Sequence, residues 1–169
     1  LAELVREAGV PDGVVQVACG TGPGIGNALV SHPGVDVVGF IGGTETGKRI
    51  MASAAGSLKK VGLELGGKSA NIILASADLE RAVDGSLMGI FAGNGEQCLA
   101  GSRILVEESV ADEFTARFTA RTKALKVGDP FDPASEIGPM AFAAHFEKLL
   151  AFGETAHSDP AYTVLAGGK

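Results

Sequence analysis

Apolar positions along the chain follow two rhythms: helical spacings of three and four, and short unbroken runs rich in β-branched residues. Leu1, Leu4 and Val5 share one helical face and Gly9 stops it, so residues 1–8 read as the end of a helix. Pro11-Asp12-Gly13 predicts a turn, and Val14, Val15 and Val17 a short buried strand that Cys19 ends. A glycine-rich turn leads into a helix through Ala28, Leu29 and Val30. Further strands are predicted over 35–41, 58–65 and 70–74, with a helix over 44–55. Asp78 caps a helix rich in Leu79, Val83, Leu87, Ile90 and Phe91. A glycine-bearing loop with Cys98 follows, then a strand over 103–106 and an amphipathic helix over 109–125. A Pro/Asp loop over 127–139, a helix over roughly 141–152 and a weak strand near Val164 complete the order.

Strands that alternate with helices and are apolar almost throughout predict an α/β fold, its parallel sheet covered on both faces. Residues 1–65 read as the C-terminal part of a doubly wound, parallel-sheet dinucleotide-binding domain. The rhythm changes beyond Gly66, so residues 66–169 read as the start of a second α/β domain, with the boundary at Gly66-Gly67.

Composition narrows the function. Hydrophobic residues form 46% of the 169 and charged residues 20%, which predicts a packed globular chain instead of a disordered one. The net charge is −6 and the 14 Lys and Arg are scattered, so no nucleic-acid footprint is expected. No apolar run reaches membrane-spanning length and no secretory leader is visible, which makes the cytoplasm the default compartment. The chain opens on Leu1 in mid-helix, and both ends read as cut. Two cysteines make no disulfide framework. The 25 glycines exceed the usual share about twofold. They crowd into 20–26, 42–47 and 62–67, which marks them as positional.

Two residues stand out chemically. Cys98 follows the polar Asn94-Gly95-Glu96-Gln97 and precedes Leu99-Ala100-Gly101-Ser102, whereas a packed cysteine sits on an apolar face. A nucleophile needs such a turn to expose its sulfur, with amide donors nearby for an oxyanion. Glu64 lies between Leu63 and Leu65 at the end of an apolar strand. That placement predicts a carboxylate with little water around it, as suits a general base. A strand-end glutamate paired with Lys60 or Lys68 is the alternative.

The segment 61–70, VGLELGGKSA, resembles the glutamate signature of the aldehyde dehydrogenase superfamily, and 94–103, NGEQCLAGSR, its cysteine signature. Their order and separation also resemble the family's. Phe40-Ile41-Gly42-Gly43-Thr44-Glu45-Thr46-Gly47 is similar to its phosphate-proximal turn, Phe-Thr-Gly-Ser-Thr-x-x-Gly. Gly20-Thr21-Gly22-Pro23-Gly24-Ile25-Gly26 departs from a Rossmann fingerprint in spacing and resembles the family's GxGP loop. The resemblance covers the whole chain as an internal piece of a longer protein. It implies NAD(P)-dependent oxidation of an aldehyde to a carboxylic acid, with Cys98 as nucleophile and Glu64 activating the hydrolytic water. It implies that Gly22, Gly42, Gly43, Thr44, Gly47 and Leu65 contact NAD or NADP, that the second domain is the catalytic one, and that the full-length protein is a homo-oligomer. The Asn of the oxyanion site, the ribose-gripping Lys-Pro-x-Glu and the Glu-x-Phe-Gly-Pro segment lie outside the chain. The 169-residue piece alone is therefore expected to be inactive.

Two departures stand out. Gly43 replaces the usual Ser, removing a hydroxyl near phosphate, and Gly93 stands where the family has Asn, which here is Asn94. The Asn-Gly-Glu-x-Cys form is similar to that of members oxidising semialdehydes from aromatic-ring degradation. An acylating enzyme that passes its thioester to coenzyme A is a second reading, and a catalytically dead piece a third. Other features read as structural. Cys19 is taken as packed, and His32, His145 and His157 as isolated, without metal-ligand spacing. The eight phenylalanines read as core, and Glu107-Glu108 with Asp112-Glu113 as a solvated helix start.

Overall fold

A computed structural model describes residues 1–168, which fall into two compact units, Leu1–Leu65 and the remainder from Gly66. The first unit holds helix α1 (Ala2–Glu7), a π-helical turn (Gly22–Gly26), α2 (Asn27–Ser31), strand β1 (Val37–Gly42), α3 (Thr44–Ala55) and β2 (Lys60–Leu65). Gly9 ends the α1 segment at φ 78°, a conformation that glycine adopts without steric cost. β1 and β2 are parallel, in register from Val37 opposite Lys60 to Gly42 opposite Leu65. α3 is the crossover between them and buries Ala54 to 1% exposure.

Two expectations fail in this unit. Val14, Val15 and Val17 form no strand and are exposed. No other strand among the described residues pairs with them, and an unpaired extended segment gains no ladder bonds. The sheet is also covered on one face only: burial alternates along both strands, and Ile41 on the outer face is 81% exposed. Covering both faces of a parallel sheet takes helices on both, and within this unit α3 meets the face bearing Leu65.

The second unit contains β3 (Ala70–Ile73), α4 (Leu79–Phe91), a 3₁₀ turn (Ala92–Gly95), β4 (Arg103–Val106), α5 (Glu108–Ala124) and α6 (Ala143–Ser158). β3 and β4 pair in parallel from Ala70 opposite Arg103 to Ile73 opposite Val106. The core is Ile73, Val83, Leu87 and Phe114, with Phe91, Phe118, Ile104 and Val106 packed around it. Phe114 stacks on Phe118 at 5.7 Å between ring centroids.

Asp78 caps α4, its Oδ1 accepting from the amides of Glu80 at 3.0 Å and Arg81 at 3.2 Å. Ion pairs lace α4 to α5: Arg121 with Asp84 at 2.7 Å and with Glu80 at 3.4 Å, and Arg117 with Glu80 at 3.3 Å; Arg117 also pairs with Glu113 within α5. Glu107 does more than solvate a helix start, because its Oε2 accepts from the Ala75 amide at 2.6 Å.

The tail of this unit differs from expectation. α6 runs to Ser158, six residues beyond the helix expected to end near 152, and no strand forms near Val164. Four phenylalanines read as core are exposed instead: Phe131, at 94%, and Phe142, Phe146 and Phe152. A helical spacing of aromatics states that a face exists; whether anything covers it is a tertiary matter.

Candidate active site

In the first unit the candidate residues gather at the carboxyl ends of the two parallel strands, where open α/β sheets bind ligands. Gly42 pairs with Leu65 and Ile41 with Glu64 in adjacent register. β1 ends at Gly42, and Gly43 is the N-cap of α3 at φ −71°, ψ 142°, with no side chain to accept from the helix. The amides of Thr44, Glu45 and Thr46 find no protein acceptor among the described residues. Three unengaged donors at the positive end of a helix dipole suit a phosphate. A Cβ on Gly42 would stand 2.6 Å from the tip of the Phe40 ring, which would have to move aside.

Gly47 is buried one turn along α3, and Leu65 lies directly over it. Gly22 sits apart from this group. With Pro23 it lines a cleft of about 430 Å³, whose other walls are Val38 and Phe40 of β1 and Thr46, Arg49 and Ile50 of α3. The lining residues on α3 escaped the reading of the sequence. Their signal is helical spacing, since Thr46, Ile50 and Ser53 recur at intervals of four and three along one face. Glu64 is exposed on the β2 edge, not enclosed by its leucine neighbours, and neither Lys60 nor Lys68 pairs with it among the described residues. Strand alternation explains this: Leu63 and Leu65 point to one face, and Glu64 between them points to the other.

In the second unit Cys98 lies on a loop built by three successive left-handed residues, Gly93 (φ 58°), Asn94 (φ 59°) and Gly95 (φ 73°). The Ala100 amide donates to the Gln97 carbonyl at 3.1 Å, closing a turn with Cys98 at its first corner. The thiol is exposed, and no protein group among the described residues accepts from the Cys98 amide. The turn is fixed behind the cysteine as well, where the Gly101 amide donates to the Gly89 carbonyl of α4 at 2.9 Å. Gly67 passes so near that a Cβ there would be 3.2 Å from the Cys98 carbonyl oxygen. Arg103 Nε donates to the Lys68 carbonyl at 2.8 Å, tying the chain after Gly67 to the start of β4.

Two residues read as structural change standing. Cys19 is exposed and ends no strand. His145 is not isolated, because its Nε2 lies 3.1 Å from Glu96 Oε1, two residues before Cys98. A contact between residues 49 positions apart leaves no periodicity for the sequence to show.

A parallel-stranded α/β unit with an uncapped glycine turn at its strand ends, and a second α/β unit presenting a thiol on a glycine-built loop, thus lie on one chain. The Aldehyde dehydrogenase family model matches residues 1–169, and the chain belongs to that family. Betaine aldehyde dehydrogenase, chloroplastic, of Atriplex hortensis is 45% identical over 167 residues, which are 99% of this chain and 33% of that protein. Retinal dehydrogenase 2 of Gallus gallus is 46% identical over 170 residues, 100% of this chain and 33% of that protein. Among solved structures, PnpE from Pseudomonas sp. WBC-3 superposes at a TM-score of 0.95 with 42% identity, covering 99% of this chain and 34% of PnpE. PnpE has also been solved in complex with nicotinamide adenine dinucleotide. The chain thus spans about a third of the length of these relatives. No helix among the described residues is long and apolar enough to cross a membrane.

Proposed function

We propose that the full-length enzyme to which this chain corresponds oxidises an aldehyde to a carboxylic acid with NAD or NADP, using Cys98 as nucleophile and Glu64 as general base. The observation that carries the reading is the exposed thiol at the corner of the 97–100 turn, beside an amide with no acceptor among the described residues. The Cys98 thiolate sulfur bonds to the aldehyde carbon, and the carbonyl oxygen takes the negative charge, facing the Cys98 amide. The coenzyme, when bound, accepts the hydride that leaves this carbon with its electron pair. A thioester remains on Cys98. Glu64 then takes a proton from water as the water oxygen attacks the thioester carbon. The carbon–sulfur bond breaks, and acid and thiolate separate.

The first unit, residues 1–65, is read as the coenzyme side and the second, from Gly66, as the thiol side. The uncapped amides of Thr44–Thr46 and the bare Gly42 and Gly43 fit a pyrophosphate, and the cleft beside Gly22 fits the flatter end of a dinucleotide. Gly47 supports Leu65 from below, which leaves the strand end free to meet the coenzyme. Two free thiols suit a reducing compartment such as the cytoplasm. The same reading includes a homo-oligomeric full-length enzyme, consistent with the uncovered Phe146, Leu149 and Phe152 of α6. Glu64 favours hydrolysis over transfer of the thioester to coenzyme A.

The test is to complete the chain with flanking segments of a full-length relative and assay NAD- and NADP-linked oxidation of an aldehyde panel. Mass spectrometry would follow acylation of Cys98. Reduced coenzyme together with an adduct on Cys98 is the expected result. A well-folded chimera that gives neither would defeat the proposal, as would undiminished turnover in Cys98→Ala. The 169-residue chain by itself is expected to turn over no aldehyde.

A further inference from the structure

The loop that bears Cys98 is fastened at its front by two of its own side chains. Asn94 Oδ1 accepts from the Gly138 amide at 3.1 Å, and its Nδ2 donates to the Pro139 carbonyl at 3.0 Å. Glu96 Oε1 lies 3.1 Å from His145 Nε2 on α6. Both contacts reach the same stretch, residues 138–145, by different chemistry. The His145 ring is itself held against Phe142, with centroids 5.8 Å apart.

The position of Glu96 gives the contact its consequence. Gln97 alone separates it from Cys98, and the Gln97 carbonyl starts the turn that has Cys98 at its corner. Peptide planes are rigid, so a displacement of Glu96 passes through two of them to the sulfur-bearing residue. Three consecutive left-handed residues precede Glu96, two of them glycines. Such a segment has wide conformational freedom and takes its course from outside anchors. The pair is also poorly placed to act through stability, because the side chains are 30% and 41% exposed, where ion pairs contribute little.

We infer that His145 is a positioning residue for the nucleophile. Through its contact with Glu96 it sets the orientation in which the Cys98 sulfur and the Cys98 amide together meet an aldehyde carbonyl. The inference rests on Cys98 being the nucleophile, and it adds to that reading two residues, Glu96 and His145, with a defined order of action.

The test uses the chain completed with the flanking segments of a full-length relative. Its probes are acetaldehyde, benzaldehyde and betaine aldehyde with NAD, followed by reduced coenzyme. Glu96→Ala is expected to lower kcat about tenfold with KM changed less than about twofold, the signature of a misplaced reacting group. His145→Phe keeps a ring against Phe142 and removes the Nε2–carboxylate contact; its loss should match that of Glu96→Ala. The double variant should be no slower than the slower single variant, because both changes break one contact. Glu96→Gln keeps a polar oxygen of the same reach against Nε2 and should return kcat to within about twofold of the parent. Unchanged kcat in folded single variants, multiplying losses in the double variant, or failure of both single variants to fold would overturn the inference. Cys98→Ser in the same background separates the two claims. Turnover that survives it removes the nucleophile reading and this inference together. Turnover lost there but untouched in the Glu96 and His145 variants removes this inference alone.

Discussion

Gly47 on α3 lies so close beneath Leu65 at the end of β2 that a Cβ at position 47 would stand 2.7 Å from Leu65 Cδ2 and 3.1 Å from Cδ1. The sequence nominated both residues for the same site, and the fold makes them neighbours. Gly47→Ala should therefore destabilise the chain by about 1–3 kcal/mol through overpacking, less the helix propensity gained. Gly85, exposed in the middle of α4 with open space where its Cβ would go, is the control. Gly85→Ala should stabilise by about 0.5–1 kcal/mol. Urea denaturation of both variants checks the opposite signs, and equal shifts would refute the packing argument.

Asn94 spends its whole side-chain amide on Gly138 and Pro139. Asn94→Ala loses both bonds and keeps a side chain at φ 59°, where Asn is better tolerated than Ala. A loss of about 1–3 kcal/mol is expected. Asn94→Gly relieves the backbone without restoring the bonds, so it should fall between parent and Ala. Thermal melts of the three proteins give the ranking, and a Gly variant at parental stability would show that the bonds contribute nothing.

If Glu64 serves the second half of the reaction and Cys98 the first, Glu64→Gln in the completed enzyme should separate the halves. About one equivalent of reduced coenzyme per site should appear in a burst, with the acyl group left on Cys98 and steady turnover lowered about 10²–10⁴-fold. Stopped-flow absorbance with mass spectrometry of the quenched protein reads both. Loss of the burst together with the steady state would place Glu64 before thioester formation.

Thr122 Oγ1 on α5 is buried and has no hydrogen-bond partner among the described residues. Thr122→Val replaces that hydroxyl with a methyl of similar volume, so the unpaired group disappears without a cavity. A gain of about 0.5–1.5 kcal/mol is expected, below the full cost of an unpaired buried hydroxyl. A lower melting temperature in the variant would mean that the hydroxyl is satisfied in solution.

Much of the fold was legible because local rules decide it. α3 and β4 occupy the residues that apolar period assigns them, and Asp78 caps α4 as its place before an apolar helical stripe implies. Errors came where an element needs a partner. Val14–Val17 has the composition of a strand and lacks a neighbour to pair with among the described residues, and Phe131 has the composition of core and nothing over it. Glu64 shows the same limit at one residue: two flanking leucines suggested enclosure, but alternate strand positions face opposite sides.

By itself the sequence determined what propensity, capping and motif carry: the helices, four of the strands, the glycine turn before α3, and the thiol on a loop that a packed cysteine would not occupy. These depend on residues within a few positions of one another, which a single chain displays directly. Tertiary structure alone decided which faces are covered, which glycine lies under which leucine, and that His145 stands beside Glu96. Those are contacts across tens of residues, set by how elements pack, and no period or spacing along the chain encodes them.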